Sequence, residues 1–142
     1  MAQEVTYLRK GDVQTFATGL AGLGTITVDH GGVAAEERNG LAKQLLASSA
    51  LACYGSMLAA TLEARDVPYA SISGTATLEL GPNKAGQGRV KNMVLTFTVD
   101  LPEKYADVFE RCAKIMKNGC LVTGSMHEGF TVSHVLNPVY SQ

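Results

Sequence analysis

The sequence predicts an α+β fold, in which a largely antiparallel sheet packs against helices on one face. Short segments with alternating polar and apolar residues follow one another along the chain, which is typical of antiparallel strands. Between them lies one long apolar segment without proline, residues 41–65, which is long enough for a helix of about seven turns. The predicted order is three strands, a short and a long helix, two strands, a second helix and a final strand.

Three short strands are predicted to open the chain as a meander. The first two cover residues 4–8 and 14–18, and Lys10, Gly11 and Asp12 form the hairpin turn between them. The third lies in GTITVDH, residues 24–30. The glycine-rich segment TGLAGLG before it lacks the GxGxxG order that follows a strand in dinucleotide-binding proteins, so we interpret it as a turn. Residues 33–40 are predicted to contain a short helix.

The long central helix is expected to be covered on all sides. Its leucines and methionine go most of the way round the helix, and its middle consists of alanine, serine and glycine. Small side chains allow a neighbouring backbone to approach closely, which predicts a second helix packed against this one. A chain of this size has too little sheet to cover such a helix alone. The sequence therefore predicts a twofold homodimer with the long helices in contact.

The second half of the chain predicts a hairpin, a helix and a last strand. The hairpin strands cover residues 69–80 and 89–101. In the second strand, apolar residues alternate with polar ones; the apolar residues are Leu95, Phe97, Val99 and Leu101. The helix begins at Pro102 and ends at Asn118–Gly119, with Cys112 on its apolar stripe. The polar segment LVTGSMHEG follows without a predicted helix. The alternation in GFTVSHVL, residues 129–136, predicts the last strand.

Composition favours a soluble, cytoplasmic protein with a single domain over residues 1–142. The 13 carboxylates nearly balance 12 lysines and arginines, so charge gives no argument for nucleic acid or an acidic membrane surface. The N-terminus lacks the layout of a signal peptide. Residues 41–65 have the length of a membrane span, but Lys43, Gln44 and several serines and threonines weaken that interpretation.

The three cysteines are the candidate chemical groups. They are too few for a secreted disulfide framework and have no CxxC zinc spacing. Cys112 is expected to pack in the core. Cys53 lies in the middle of the long helix, where it is most simply a small apolar residue without a helix N-terminus to lower its pKa. Cys120 follows a helix end and is the better candidate by position. A zinc site of Cys53, Cys120 and His127 has no spacing to support it.

With these elements in order, the chain resembles the OsmC/Ohr family of osmotically inducible and organic hydroperoxide resistance proteins. The alanine-rich helix with an internal cysteine is QLLASSALACYGSMLAATLEARDV, and a β-hairpin follows it. The helix that leads to a second cysteine is RCAKIMKNGCLVTGSM. The resemblance covers nearly the whole chain in element order. It implies an intertwined homodimer, in which curved antiparallel sheets wrap around two long central helices.

The resemblance also implies thiol peroxidase chemistry on organic hydroperoxides. Cys53 would attack the peroxide oxygen and become a sulfenic acid, and Cys120 would resolve it into a disulfide. An external dithiol would reduce that disulfide, and no metal or organic cofactor is needed. Two alternatives stay open. One is a catalytically silent dimer that binds a small apolar ligand at its interface, and the other is a hydrolase or transferase that uses Cys53 with His127 as its base.

Three departures from the family pattern bear on the activity. Active members carry an arginine in the N-terminal glycine-rich hairpin, whereas FATGLAGLG has none. Lys43 replaces the glutamate that would orient this arginine, and Leu121 replaces the usual proline after the second cysteine. Without the arginine, the pKa of Cys53 should stay near that of a free thiol or above it. The cations that could substitute for the arginine are Lys43, Arg38, Arg9 and Lys10.

Overall fold

The computed structural model describes residues 3–141. The chain divides into two compact units, Met1–Leu41 and Ala42–Gln142. Both are built from antiparallel strands, and the second also contains the helices. The α+β class is therefore confirmed, while the single domain over residues 1–142 stays a prediction.

The first unit is the predicted meander. Its strands β1 (Thr6–Lys10), β2 (Val13–Ala17) and β3 (Thr25–Asp29) pair antiparallel in the order β1-β2-β3. The two-residue turn between β1 and β2 begins at Gly11, whose φ of 59° is favoured in such a turn. The short helix predicted over residues 33–40 is only a 3₁₀ turn, Ala35–Glu37.

The second unit holds the remaining elements. The helix α1 covers Leu41–Glu63, and its first residue belongs to the first unit. The strands β4 (Ser71–Pro82) and β5 (Gly88–Asp100) form the predicted antiparallel hairpin. A 3₁₀ turn then leads into α2 (Ala106–Met116), and a third helix, α3, covers Leu121–Glu128.

Two predictions for the end of the chain are wrong. The segment after Cys120 was expected to be irregular, but it forms α3. The strand predicted over residues 129–136 is absent from the described residues, which have no regular structure after Glu128. Alternating side chains form a strand only when a sheet edge supplies the backbone hydrogen bonds, and no strand pairs with this segment within the described chain.

The core of the second unit joins α1 to α2 and the hairpin. Its buried residues are Leu58, Leu62, Val67, Cys112 and Met116. The predicted packing role of Cys112 is confirmed, because its side chain is fully buried. The ring of the partly buried Phe97 packs against this core and on Tyr54, and so extends the core towards the middle of α1.

Two glycines make room for the ring of Phe97. Gly74 lies opposite Phe97 in the β4–β5 register, and a Cβ atom there would come within 2.9 Å of the ring. A Cβ atom on Gly55 of α1 would come within 3.3 Å of the same ring. The ring also packs on Tyr54, with 5.1 Å between the ring centroids. These contacts hold the central turn of α1, which contains Cys53, against β5.

Much of α1 is exposed in the single chain. Only Ala50, Leu58 and Leu62 are buried among its residues, although its side chains are mainly apolar or small. By length and composition alone, α1 could also cross a membrane. The core helices of soluble proteins meet the same two criteria.

Candidate functional site

Cys53 lies where α1 meets the start of α3. The backbone N–H of Val122, in the first turn of α3, donates to the Cys53 sulfur at 3.5 Å. The thiol is partly buried and makes no disulfide. The first amides of a helix have no partner within that helix, so the sulfur satisfies a donor that would otherwise be unpaired.

Cys120 is the N-cap residue of α3. Its sulfur accepts the backbone N–H of Thr123 at 3.5 Å, and the Thr123 hydroxyl accepts the backbone N–H of Cys120 at 3.0 Å. This reciprocal pair is a capping box with sulfur in place of the usual hydroxyl. The Thr123 hydroxyl also lies 3.2 Å from the Cys120 sulfur. Only 6% of Cys120 is exposed.

The two candidate thiols are neighbours, although they are far apart in the sequence. Each thiol lies close enough to the other to affect its pKa. The amides of the first turn of α3 serve both sulfurs. The sequence alone gave Cys53 no helix N-terminus, and this interpretation is corrected: α3, which the sequence analysis missed, brings its N-terminus to Cys53.

The two thiols differ in acidity. Burial raises the pKa of Cys53, the hydrogen bond with Cys120 raises it further, and the backbone N–H of Val122 lowers it only in part. Burial also acts to raise the pKa of Cys120. There, however, hydrogen bonds from the Cys53 thiol, the Thr123 hydroxyl and backbone N–H groups outweigh burial, so that the pKa is lowered. Cys120 is therefore the more acidic of the two.

Lys43, which lies in the same unit as Cys53, does not contribute to the raised pKa of this thiol. Arg38 forms a salt bridge with Asp12 at 3.1 Å and donates to the backbone oxygen of Val33. Arg9 donates to the backbone oxygen of Gly11. Within the second unit, backbone amides of α3 donate to both sulfurs.

Gly119 gives Thr123 the space that this arrangement needs. It ends the helical segment before Cys120 with a φ of 75°, as glycine does after many helices. A Cβ atom on Gly119 would lie 2.8 Å from the Thr123 hydroxyl oxygen. Sequence analysis identified Gly119 as a helix end but missed Thr123. The signal was the Cys-x-x-Thr spacing, which places an acceptor three residues before a hydroxyl.

Gly119→Ala should lower the free energy of unfolding by about 2 kcal/mol and raise the pKa of Cys120. About 1 kcal/mol comes from the positive φ, and the rest comes from displacement of the Thr123 hydroxyl. Gly129→Ala is the matched control, because Gly129 has a φ of 82° and open space around its Cβ position. Urea unfolding and thiol alkylation against pH measure the two effects. Equal losses of unfolding free energy in the two variants, with no change in the pKa of Cys120, would contradict the role of Gly119.

A cleft of about 660 Å³ lies beside this thiol pair. Tyr54, which follows Cys53, lines one part of it, together with Gly119, which precedes Cys120, and Thr123, which forms the capping box with Cys120. Burial raises the pKa of Tyr54, and the neighbouring Cys120 charge raises it further, so the phenol stays protonated near neutral pH. Methionine and leucine side chains make up much of the remaining wall.

His127 also lines the cleft, but it does not join the thiols. No hydrogen bond connects it to either sulfur within residues 3–141, and the bonds to the sulfurs come from α3 amides and Thr123. No group of three His, Cys, Asp or Glu residues suitable for a metal occurs in the described part of the chain. The structure thus does not assemble Cys53, Cys120 and His127 into a metal site or a thiol–imidazole pair.

Comparison with known proteins identifies the family. The family model described as OsmC-like protein matches residues 42–135, which is more than half of the chain. The chain belongs to the OsmC-like family. No curated protein sequence matches this OsmC-like chain significantly. The matched region contains α1 except for its first residue, the hairpin and both candidate cysteines.

Solved structures share the OsmC-like fold at low sequence identity. An OsmC-like protein of unknown function from Vibrio cholerae has a TM-score of 0.66 at 17% identity, over 88% of this chain and 94% of that one. A hypothetical protein from Aquifex aeolicus has a TM-score of 0.67 at 15% identity, over 90% and 89%. An organic hydroperoxide resistance protein from Elizabethkingia anophelis has a TM-score of 0.55 at 14% identity, over 88% and 89%.

Proposed function

We propose that this OsmC-like protein is a cytoplasmic, thiol-dependent peroxidase that reduces organic hydroperoxides with Cys53 and Cys120. One thiolate attacks the terminal peroxide oxygen, the O–O bond breaks, and an alcohol leaves. The resulting sulfenic acid condenses with the second thiol to a disulfide and water. An external dithiol then reduces the disulfide. The family resemblance assigns the first attack to Cys53, and either order gives the same net reaction.

The contact between the two thiols at the N-terminus of α3 carries this proposal. Two neighbouring thiols can form a disulfide, and the helix amides that donate to the sulfurs stabilise the thiolate that reacts with peroxide. Leucine and methionine side chains form part of the wall of the adjacent cleft, and this part suits the organic group of a hydroperoxide. The structural similarity to an organic hydroperoxide resistance protein supports the same class of substrate.

Stopped-flow consumption of cumene hydroperoxide by the reduced protein tests the proposal. We expect one peroxide consumed per chain and two thiols lost, with turnover when dithiothreitol is present. Cys53→Ser and Cys120→Ser should each lower turnover at least about 100-fold, because each removes one half of the pair. Cys112→Ala is the control and should retain turnover. No consumption, with all three thiols intact, would refute a peroxidase.

The cleft also favours a second candidate, a catalytically silent protein that binds a small apolar ligand. This candidate predicts saturable binding of an apolar fluorescent probe and no turnover with any dithiol. Tyr54→Trp would place a reporter in the cleft wall. Quenching of that reporter by cumyl alcohol, together with an absence of peroxide consumption, would favour binding over catalysis.

A homodimer is part of the proposal. The exposed face of α1 carries small residues at intervals of four, which allow close approach of a second helix. They are Ser48, Ala52, Ser56 and Ala60. Apolar side chains of the C-terminal segment are also exposed, among them Leu136 (95%) and Val139 (96%). A second copy of the chain would cover both surfaces.

Ala52→Arg should convert the dimer to monomer, because the long side chain prevents close approach of the two helices. Ala113→Arg, on the charged face of α2, is the matched control and should remain dimeric. Sedimentation velocity measures the mass of each variant. A wild-type monomer at micromolar concentration, or a dimer of Ala52→Arg, would contradict this arrangement.

A further inference from the structure

Three of the five methionines in the chain line the cleft beside the thiol pair. They are Met93, Met116 and Met126. The proposed function uses the thiols of this region and leaves these thioether sulfurs without a role. A thioether needs no loss of a proton to act as a nucleophile, and peroxides oxidise it to a sulfoxide. The position of each methionine decides whether a hydroperoxide in the cleft can reach its sulfur.

Met126 continues the wall of the cleft that begins at the capping box. It lies in the last turn of α3, three residues after Thr123, and residues at this spacing are neighbours on a helix surface. Both residues line the cleft, and the Thr123 hydroxyl lies 3.2 Å from the Cys120 sulfur. Met126 is half-buried, so its side chain is open to a ligand that lies next to the thiol pair.

Met93 lines the cleft from the hairpin. It lies on β5 two residues before Leu95, which also lines the cleft, and side chains two apart in a strand point to the same face. Met93 is half-buried, as Met126 is. Met116, in contrast, belongs to the core and is only 2% exposed. The two thioethers that are accessible from the cleft are therefore Met93 and Met126.

Met57 provides a comparison within the same unit. It lies on α1, packs against the core and is half-buried, but it does not line the cleft. If exposure alone governs oxidation, Met57, Met93 and Met126 should react alike. A hydroperoxide that is held in the cleft would instead favour Met93 and Met126, because binding raises its local concentration at their sulfurs.

We infer that Met93 and Met126 are oxidised by the hydroperoxide bound in the cleft, and that their sulfoxides lower the affinity of the cleft for apolar ligands. The inference rests on the part of the proposed function that places an organic hydroperoxide in this cleft, and it requires no reaction of the thiols. The modification reduces binding when hydroperoxide is in excess over the dithiol. A methionine sulfoxide reductase is the class of enzyme that would reverse it.

The reaction balances with one thioether and one hydroperoxide. The methionine sulfur attacks the terminal peroxide oxygen, an S–O bond forms, and the O–O bond breaks. The proton of that oxygen passes to the departing alkoxide, which leaves as an alcohol. The peroxide is reduced by two electrons and the sulfur is oxidised by two electrons. No other reactant is consumed.

Site-resolved oxidation of the wild-type protein without a dithiol tests the inference. The thiol pair then consumes at most one equivalent of cumene hydroperoxide, and peptide mass spectrometry follows sulfoxide formation by the excess. We expect the rates at Met93 and Met126 to saturate with hydroperoxide concentration and to exceed the rate at Met57 at least about tenfold. Hydrogen peroxide has no organic group to bind, so it should oxidise the three residues at rates within about threefold of one another.

Rates that rise in proportion to concentration at all three residues, with the same ratios for both peroxides, would overturn the inference. Cumyl alcohol occupies the cleft without oxidising it, and it should protect Met93 and Met126, but not Met57, from hydrogen peroxide. A lack of protection would also overturn the inference. Unaltered thiols together with saturable oxidation of Met93 and Met126 would refute the peroxidase and leave this inference standing.

Leucine variants test the effect on binding. The double variant Met93→Leu/Met126→Leu keeps apolar side chains of similar volume without an oxidisable sulfur. Each protein is exposed to cumene hydroperoxide and then to dithiothreitol, which reduces disulfides and leaves sulfoxides, and calorimetry gives its Kd for cumyl alcohol. The wild type should lose affinity about fivefold or more, because a polar sulfoxide faces the apolar ligand.

The double variant should keep the Kd that it has before exposure. Met57→Leu is the matched control and should lose affinity as the wild type does. An equal loss of affinity in the double variant, or no loss in the wild type after Met93 and Met126 are oxidised, would overturn the effect on binding.

Discussion

Oxidation of Cys53 and Cys120 to a disulfide should raise the free energy of unfolding by about 3 kcal/mol. The bond would close a loop of about 70 residues, and a loop of this size removes roughly 4 kcal/mol of conformational entropy from the unfolded chain. The same bond takes the Cys120 sulfur away from the N-terminus of α3, which costs about 1 kcal/mol. Guanidinium chloride unfolding of the reduced and oxidised proteins, at one protein concentration, measures the difference.

Two variants separate the disulfide from other effects of the oxidant. Cys120→Ser retains a good N-cap residue but cannot form the bond, so the oxidant should leave its stability unchanged. Cys112→Ala keeps the pair and should show the full increase. A lower free energy of unfolding in the oxidised wild type would mean that the bond strains α1 against α3, and it would contradict the geometry described for the pair.

Phe97→Ala should lower the free energy of unfolding by about 3 kcal/mol, the lower end of the range for a phenylalanine because the ring is only partly buried. The substitution removes the ring that packs on Tyr54 and against Gly55 and Gly74. Urea unfolding measures the loss. Thr96→Ala changes the neighbouring, exposed residue of β5 and should cost less than about 1 kcal/mol.

A double-mutant cycle shows whether Gly74 is there to accommodate Phe97. In the wild-type background, Gly74→Ala should cost about 1–3 kcal/mol, because the new Cβ atom collides with the ring. In the Phe97→Ala background the same change should cost nothing, since the ring is gone. Additive effects would contradict the contact.

The sequence was most informative where local pattern and burial agree. The alternation in residues 89–101 predicted β5, and the apolar stripe of α2 predicted the burial of Cys112. The prediction of a last strand over residues 129–136 was wrong for a different reason. Its alternation is present in the sequence, but alternation does not supply a neighbouring strand, and the described chain has none for that segment.

The candidate site could be predicted only in part. The resemblance to a family suggested Cys53 and Cys120, and the structure brings their sulfurs together, whereas their catalytic roles stay a prediction. The helix α3 was missed because it is short, contains Gly124 and begins with cysteine, which is not among the usual N-cap residues. Without α3, neither the amides at the sulfurs nor the function of Thr123 could be inferred.

Because Cys112 is completely buried, the rate at which a reagent labels this third thiol can report opening of the core. A thiol reagent can reach this sulfur only when α2 separates from α1, so slow labelling of Cys112 in native buffer reports the frequency of that separation. Cys53 and Cys120 can first be blocked as their own disulfide, without any foreign label. Labelling of Cys112 would therefore report local opening of the core independently of the Cys53–Cys120 pair.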